Sequence, residues 1–211
     1  MKRKLLISGF AGFCLLAVQI GTGFGPCLAA TAQDSGSQIS REFTVSPGQQ
    51  VTFDLQTGGG ISITGSDSNL VSVKATLGGR DGADCHVDMN QTGSGVEIKS
   101  TYTGSDSNHS TNIRFEVQVP RQFNLNITSA GGGINIDNVE GAIQGTTGGG
   151  GIRISNAKGT VELSTGGGGI NVKNSALDGT VSTGGGQVMI QGNTGNLKGS
   201  TGGGKVVYKD S

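Results

Sequence analysis

Few residues in this sequence are of types that do chemistry. Gly199-Ser-Thr-Gly-Gly-Gly204-Lys205 has the glycine and lysine spacing of a phosphate-binding loop. Val206 stands where that loop needs a metal-binding Ser or Thr, and a helix must follow whose N-terminus faces the phosphates. The pattern here continues as a strand, which also removes the dinucleotide reading. Cys85 and His86 lie beside each other, near Asp81, Asp84 and Asp88, a set that could catch a metal. Adjacent residues of a strand point to opposite faces, so Cys85 and His86 do not form a nucleophile and base. The segment reads as a solvated polar loop, and His86 and His109 are the only histidines.

The acids between residues 128 and 209 are Asp137, Glu140, Glu162 and Asp178. A calcium-binding β-roll needs an Asp at a fixed place in each repeat, and the equivalent positions hold Gly, Ile, Asn and Ser. Polysaccharide cleavage on a β-helix needs clustered carboxylates, and these are scattered. Thr147, Thr165, Thr183 and Thr201 form a column that raises ice binding. Ser164, Ser182 and Ser200 precede three of them and face the other way, so the expectation is a hydroxyl ladder supporting a turn. No catalytic, cofactor-binding or metal-binding residue is assigned.

The elements that position these residues follow from one period. The Thr column advances in equal steps, and each Thr is followed by a glycine triplet. Ile134, Ile152, Ile170, Val188 and Val206 form a second column with the same step; Ile136, Ile154, Val172, Ile190 and Tyr208 form a third. Their alternation with polar residues is the signature of a strand with one buried face. Asn138, Asn156 and Asn174 align where that strand must end, as residues that accept left-handed geometry. A second short strand follows, with Ile143, Val161, Leu163, Val181 and Leu197 inward. Its register is expected to drift at Ala176-Leu177-Asp178, read as two extra loop residues. Self-similarity at this period means stacked units, none of which buries enough apolar surface alone to offset its ordering entropy. Upstream, from Arg41 to Thr128, strands still alternate but less regularly, with loops at 81–86 and 103–112.

Composition supports a repeat array. The 211 residues include 41 glycines, no Trp and only nine Phe and Tyr together, too few for a conventional core. The glycines do not recur every third residue, which excludes collagen. The expected fold is therefore all-β, a single-stranded β-helix or β-solenoid with 18-residue rungs and an irregular N-terminal half.

Met1-Lys-Arg-Lys4, an apolar stretch from Leu5 to about Phe24, and Ala30-Thr-Ala32 read as a secretory signal with its cleavage site. An uncleaved anchor, or lipidation at Cys27, are the alternatives. The expected organisation is a signal peptide over 1–32, a linker over 33–42, and the β-solenoid over 43–211, irregular over 43–127 and regular over 128–211. Removing residues 1–32 removes three of the 15 basic residues and no acid, leaving 12 against 15. That weakly acidic chain has no footprint for nucleic acid, and no membrane insertion of its mature part is expected. Cys14 and Cys27 fall in the signal, so Cys85 is alone in the mature chain and stacking must supply the stability.

Phe43-Thr-Val45-Ser-Pro-Gly48, Ile61-Ser-Ile63-Thr-Gly65 and Val71-Ser-Val73 come in that order. Phe115-Glu-Val117-Gln-Val119-Pro120 then leads into the Gly-Gly-Ile-x-Ile repeats. In that order they resemble the bacterial "putative adhesin" β-solenoids, related to head-GIN-domain proteins. The resemblance covers roughly residues 41–211. It implies a β-helix displayed outside the cytoplasm, in the periplasm or on the cell surface, with no catalytic residues to carry over. The expected function is a non-enzymatic interaction module binding a protein or glycan. A polysaccharide-active enzyme and a purely structural envelope protein are the alternatives. Weak end-to-end self-association through Val206, Val207 and Tyr208 is the most expected of the last strand.

Overall fold

The computed structural model describes residues 33–35, 38–104 and 111–210, with side chains from residue 38 onward. The signal-peptide and cysteine expectations for residues 1–32, and His109, lie outside them. The described chain is all-β apart from one 3-10 turn at Gly82–Asp84. The first nine strands are β1 (Gln33–Ser35), β2 (Gln38–Thr44), β3 (Gln50–Leu55), β4 (Gly60–Ser66), β5 (Leu70–Gly78), β6 (Cys85–Thr92), β7 (Gly95–Tyr102), β8 (Asn112–Pro120) and β9 (Asn124–Ser129). Eight follow: β10 (Ile134–Asp137), β11 (Glu140–Thr147), β12 (Ile152–Ser155), β13 (Lys158–Thr165), β14 (Ile170–Thr183), β15 (Val188–Asn193), β16 (Leu197–Thr201) and β17 (Val206–Lys209).

These strands form one continuous 17-stranded sheet, nearly closed on itself like a barrel, so that two faces meet over one core. The front face runs β1-β2-β5-β8-β4-β10-β12-β14-β15-β17. The back face runs β6-β7-β3-β9-β11-β13-β14-β16. β14 passes from one face to the other and belongs to both.

Among β9–β17 every pairing is parallel, and each paired residue faces its counterpart one sequence period away. Ile134, Ile152, Ile170, Val188 and Val206 are successive partners on the front face. Leu125, Ile143, Val161, Gly179 and Leu197 are successive partners on the back. Upstream the order is irregular and partly antiparallel: β2 with β5, β5 with β8, and the β6–β7 hairpin. β2 begins at Gln38 and pairs along its length with β5, so β structure occupies part of the stretch expected as linker.

The drift expected at Ala176-Leu177-Asp178 is absent. β14 runs unbroken through it, and Val161 still faces Gly179 while Leu163 faces Val181. Size exchange between columns explains why the sequence misleads there. Leu177 is fully buried beside Gly179, whereas in the preceding unit Gly159 lies beside the buried Val161. One large side chain and one glycine trade places, and the core volume is kept without a slip.

The inward Ile and Val columns are buried almost completely as far as Val188 and Ile190. In the N-terminal half larger groups, Phe43, Phe53, Phe115 and Phe123, are part of the core. Phe53 from the back face meets Phe115 from the front at 6.3 Å, edge to face.

The corners repeat as regularly as the strands. Asn138, Asn156, Asn174, Gly192 and Asp210 follow one another at the same equal step, and all have φ between 48° and 63°. At the opposite corner the hydroxyls of Thr147, Thr165, Thr183 and Thr201 donate to the carbonyls of Gly132, Gly150, Gly168 and Gly186 at 2.7–3.0 Å. Each hydroxyl thus satisfies a carbonyl in the turn of the preceding unit, where the glycine-rich backbone has no ladder partner.

Candidate functional site

The residues with chemical potential are dispersed. Cys85 is buried and His86 exposed, on opposite sides of β6. The imidazole Nε2 lies 3.1 Å from Asp88 Oδ1. Burial pushes the Cys85 thiol pKa above its ordinary value, and the nearby Asp84 and Asp81 carboxylates add to the rise. That is the reverse of what a nucleophilic cysteine needs. No group of three or more His, Cys, Asp or Glu among the described residues is arranged to hold a metal. Gly199–Lys205 spans the end of β16 and the turn into β17, where the Gly204 N–H donates to Thr201 Oγ1 at 3.0 Å.

The four acids split between the faces. Asp137 Oδ1 accepts from Ser155 Oγ at 2.6 Å and from Asn156 Nδ2 at 2.8 Å, bracing a corner. Glu140 pairs with Lys158 at 3.1 Å. Glu162 and Asp178 share a shallow back-face depression with Gln144 and Thr160.

A broad concavity lies on the outer side of the front face. It is an open trough of about 690 Å³ crossing β5, β8, β4 and β10. Ser62, Thr64, Ser72, Lys74, Arg114, Glu116, Gln118 and Asn135 line it. One strand further on, a second depression of about 250 Å³ carries Arg153, Asn171 and Met189. Gly60, Gly133, Gly151 and Gly169 form the floor of both, each immediately preceding an inward Ile of the front face. With no side chains in that column, backbone is exposed along the trough and the next column (Ser62, Asn135, Arg153, Asn171) forms its wall. The sequence showed each of these glycines, but not that four of them line up. Gly60 joins the column only because Ile61 pairs with Ile134, a partner far outside the repeat spacing.

Folding also sorts the charges. Outward positions on the front-face strands hold five cations, Lys74, Arg114, Arg153, Lys173 and Lys209, against Glu42, Glu116 and Asp137. Outward positions on the back hold Asp54, Asp88, Glu97, Glu140, Glu162 and Asp178 against Lys99, Lys158 and Lys198. Lys74 pairs with Glu116 at 3.7 Å. Arg114, Arg153 and Lys173 have no carboxylate partner among the described residues. In the wall, the Asn171 Oδ1 is buried and accepts no hydrogen bond.

No family model matches this sequence. No curated protein matches it either. Several solved structures resemble it distantly. One, described as a putative cell adhesion protein from Clostridium sporogenes, is 12% identical with a TM-score of 0.49 and covers 81% of this chain and 98% of its own. A putative adhesin from Bacteroides fragilis is 15% identical with a TM-score of 0.34, covering 83% and 98%. A putative lipid binding protein from Parabacteroides distasonis is 14% identical with a TM-score of 0.25, covering 82% and 97%. With TM-scores below 0.5, the reading of function rests on the geometry of this chain.

Proposed function

We propose that the chain is an exported, non-enzymatic β-solenoid of the bacterial cell envelope or surface, acting as an adhesion-like interaction module. The observation that carries this reading is the unbroken parallel register, one period per unit, through β9–β17. Such stacking makes a rod whose outer side chains repeat at the strand spacing of about 4.8 Å. Its two polar faces suit an extended partner better than a small molecule held in an enclosed pocket. The expected partner is a protein or glycan rather than nucleic acid, since Asp and Glu outnumber Lys and Arg beyond residue 32. No helix among the described residues is long and apolar enough to cross a membrane.

The test is protease shaving of intact cells carrying a C-terminally tagged copy, with fractionation alongside. Loss of the tag from whole cells supports surface display. Protection until the envelope is opened supports a periplasmic module. Recovery of the full-length chain in the cytoplasmic fraction would overturn the reading.

A further inference from the structure

Resting on that reading, we propose that the front-face trough binds an extended acidic polysaccharide, whose carboxylates meet Arg114 and Arg153 and whose hydroxyls meet Asn135 and Asn171. The shape comes first. The trough crosses the strands rather than following one, its floor is glycine backbone, and a second depression continues it one strand further. Arg114 on β8 and Arg153 on β12 are separated by β4 and β10. At about 4.8 Å per strand they stand about 14 Å apart along the stack. A chain of several sugars spans that distance and a single sugar does not.

The chemistry narrows the occupant. No aromatic side chain lines either depression, so stacking against a neutral sugar ring has no platform. The two guanidiniums are unpaired and exposed, the state in which Arg takes a carboxylate through two parallel hydrogen bonds. Lys74 and Glu116 largely cancel one another, leaving the arginines as the charged contacts. The side-chain amides of Asn135 and Asn171 line the depressions and can pair with hydroxyls in both directions, whereas polyphosphate offers acceptors only. The acidic back face repels the same polymer, so binding is one-sided.

The experiment measures affinity of the protein, purified from cells that export it, for three polymers: polygalacturonate, its methyl-esterified form, and polyphosphate. Polygalacturonate is expected to bind, more weakly as salt rises. Esterification should weaken binding at least tenfold, and polyphosphate should bind less tightly than polygalacturonate at equal charge. Arg114→Gln with Arg153→Gln should cost polygalacturonate at least tenfold with an unchanged melting temperature. Glu162→Gln on the back face should change nothing. Absence of polygalacturonate binding, or equal binding by the double arginine variant, would overturn the proposal. Equal affinity for polyphosphate, unaltered by Asn171→Leu, would overturn it too, because charge alone would then suffice. Failure here leaves the shaving result untouched, and a cytoplasmic location would leave a measured affinity untouched, so the two readings fail separately.

Discussion

Replacing Thr165 with valine keeps the shape of the side chain and removes only the hydroxyl that reaches the Gly150 carbonyl at 2.7 Å. Thr165 is almost completely buried, so water does not replace the lost donor. The expected cost is about 1–3 kcal/mol, read as a fall in denaturation midpoint, with Thr165→Ser restoring most of it. Asn156 makes a second residue-scale prediction. Its φ of 53° costs an alanine about 1–2 kcal/mol, whereas Asn156→Gly should recover the backbone part of that loss. Both variants lose the bond to Asp137, so their difference in melting temperature isolates the backbone term. Cys85 gives a third. Its folded pKa is raised, chiefly by burial, so folding favours the thiol. The stability it contributes is complete below the ordinary thiol pKa and is lost as pH climbs from there towards the raised folded value. Iodoacetamide should therefore label native protein slowly at pH 8 and unfolded protein fast; equal rates would contradict the burial.

At the scale of the elements, the turns explain what the glycines are for, and the answer differs within one triplet. A Cβ on Gly150 would collide with the Gly132 carbonyl of the preceding unit. A Cβ on Gly149 would meet nothing within 4 Å, and its φ is not positive. Gly150→Ala should destabilise by about 1–3 kcal/mol through overpacking. Gly149→Ala should be neutral or stabilise by about 0.4–1 kcal/mol, because it restricts only the unfolded chain. Thermal melts of the two single variants decide this, and equal losses would mean that the triplet acts as a block. The same turns show how much of the structure was legible in advance. Strand columns, the Asn corner and the Thr ladder could be read because each repeats at one fixed spacing, the corner and the ladder with one residue type and the columns mostly with β-branched aliphatics. Gly192 and Asp210 continue the Asn corner but differ in type, so only the backbone reveals them. The Leu177–Gly179 exchange looked like a slip because pattern reading tracks the position of large residues, whereas packing conserves their summed volume. The trough was illegible for a different reason: its N-terminal strands join the stack at offsets that no repeat announces.

For the whole molecule, the two ends of the stack pose unequal problems. The N-terminal end is closed by antiparallel pairing and the β6–β7 hairpin, whose inward Cys85, Val87 and Met89 complete the core. Among the described residues β16 and β17 are the last strands of their faces, with Val206 only half-buried and Tyr208 50% exposed. An unpaired edge of this kind is a template for another chain. Tyr208 blunts it. Its hydroxyl accepts from the Gly199 N–H at 2.8 Å, which ties β17 to β16 and uses a donor at the edge of the back face. Lys205 and Lys209 flank the strand with charge, and Lys198 adds a third cation on β16. Two such ends brought together would oppose their lysines. The wild-type chain should accordingly associate end to end only weakly, with a sedimentation coefficient that rises slightly with concentration. Lys205→Thr, Tyr208→Val and Lys209→Thr together remove both charges and the tyrosine, leaving a β-branched edge. That triple variant should raise the association constant more than tenfold in sedimentation velocity. Should it sediment as a concentration-independent monomer, the charges and Tyr208 are not what restrains this edge, and self-association through Val206, Val207 and Tyr208 is abandoned.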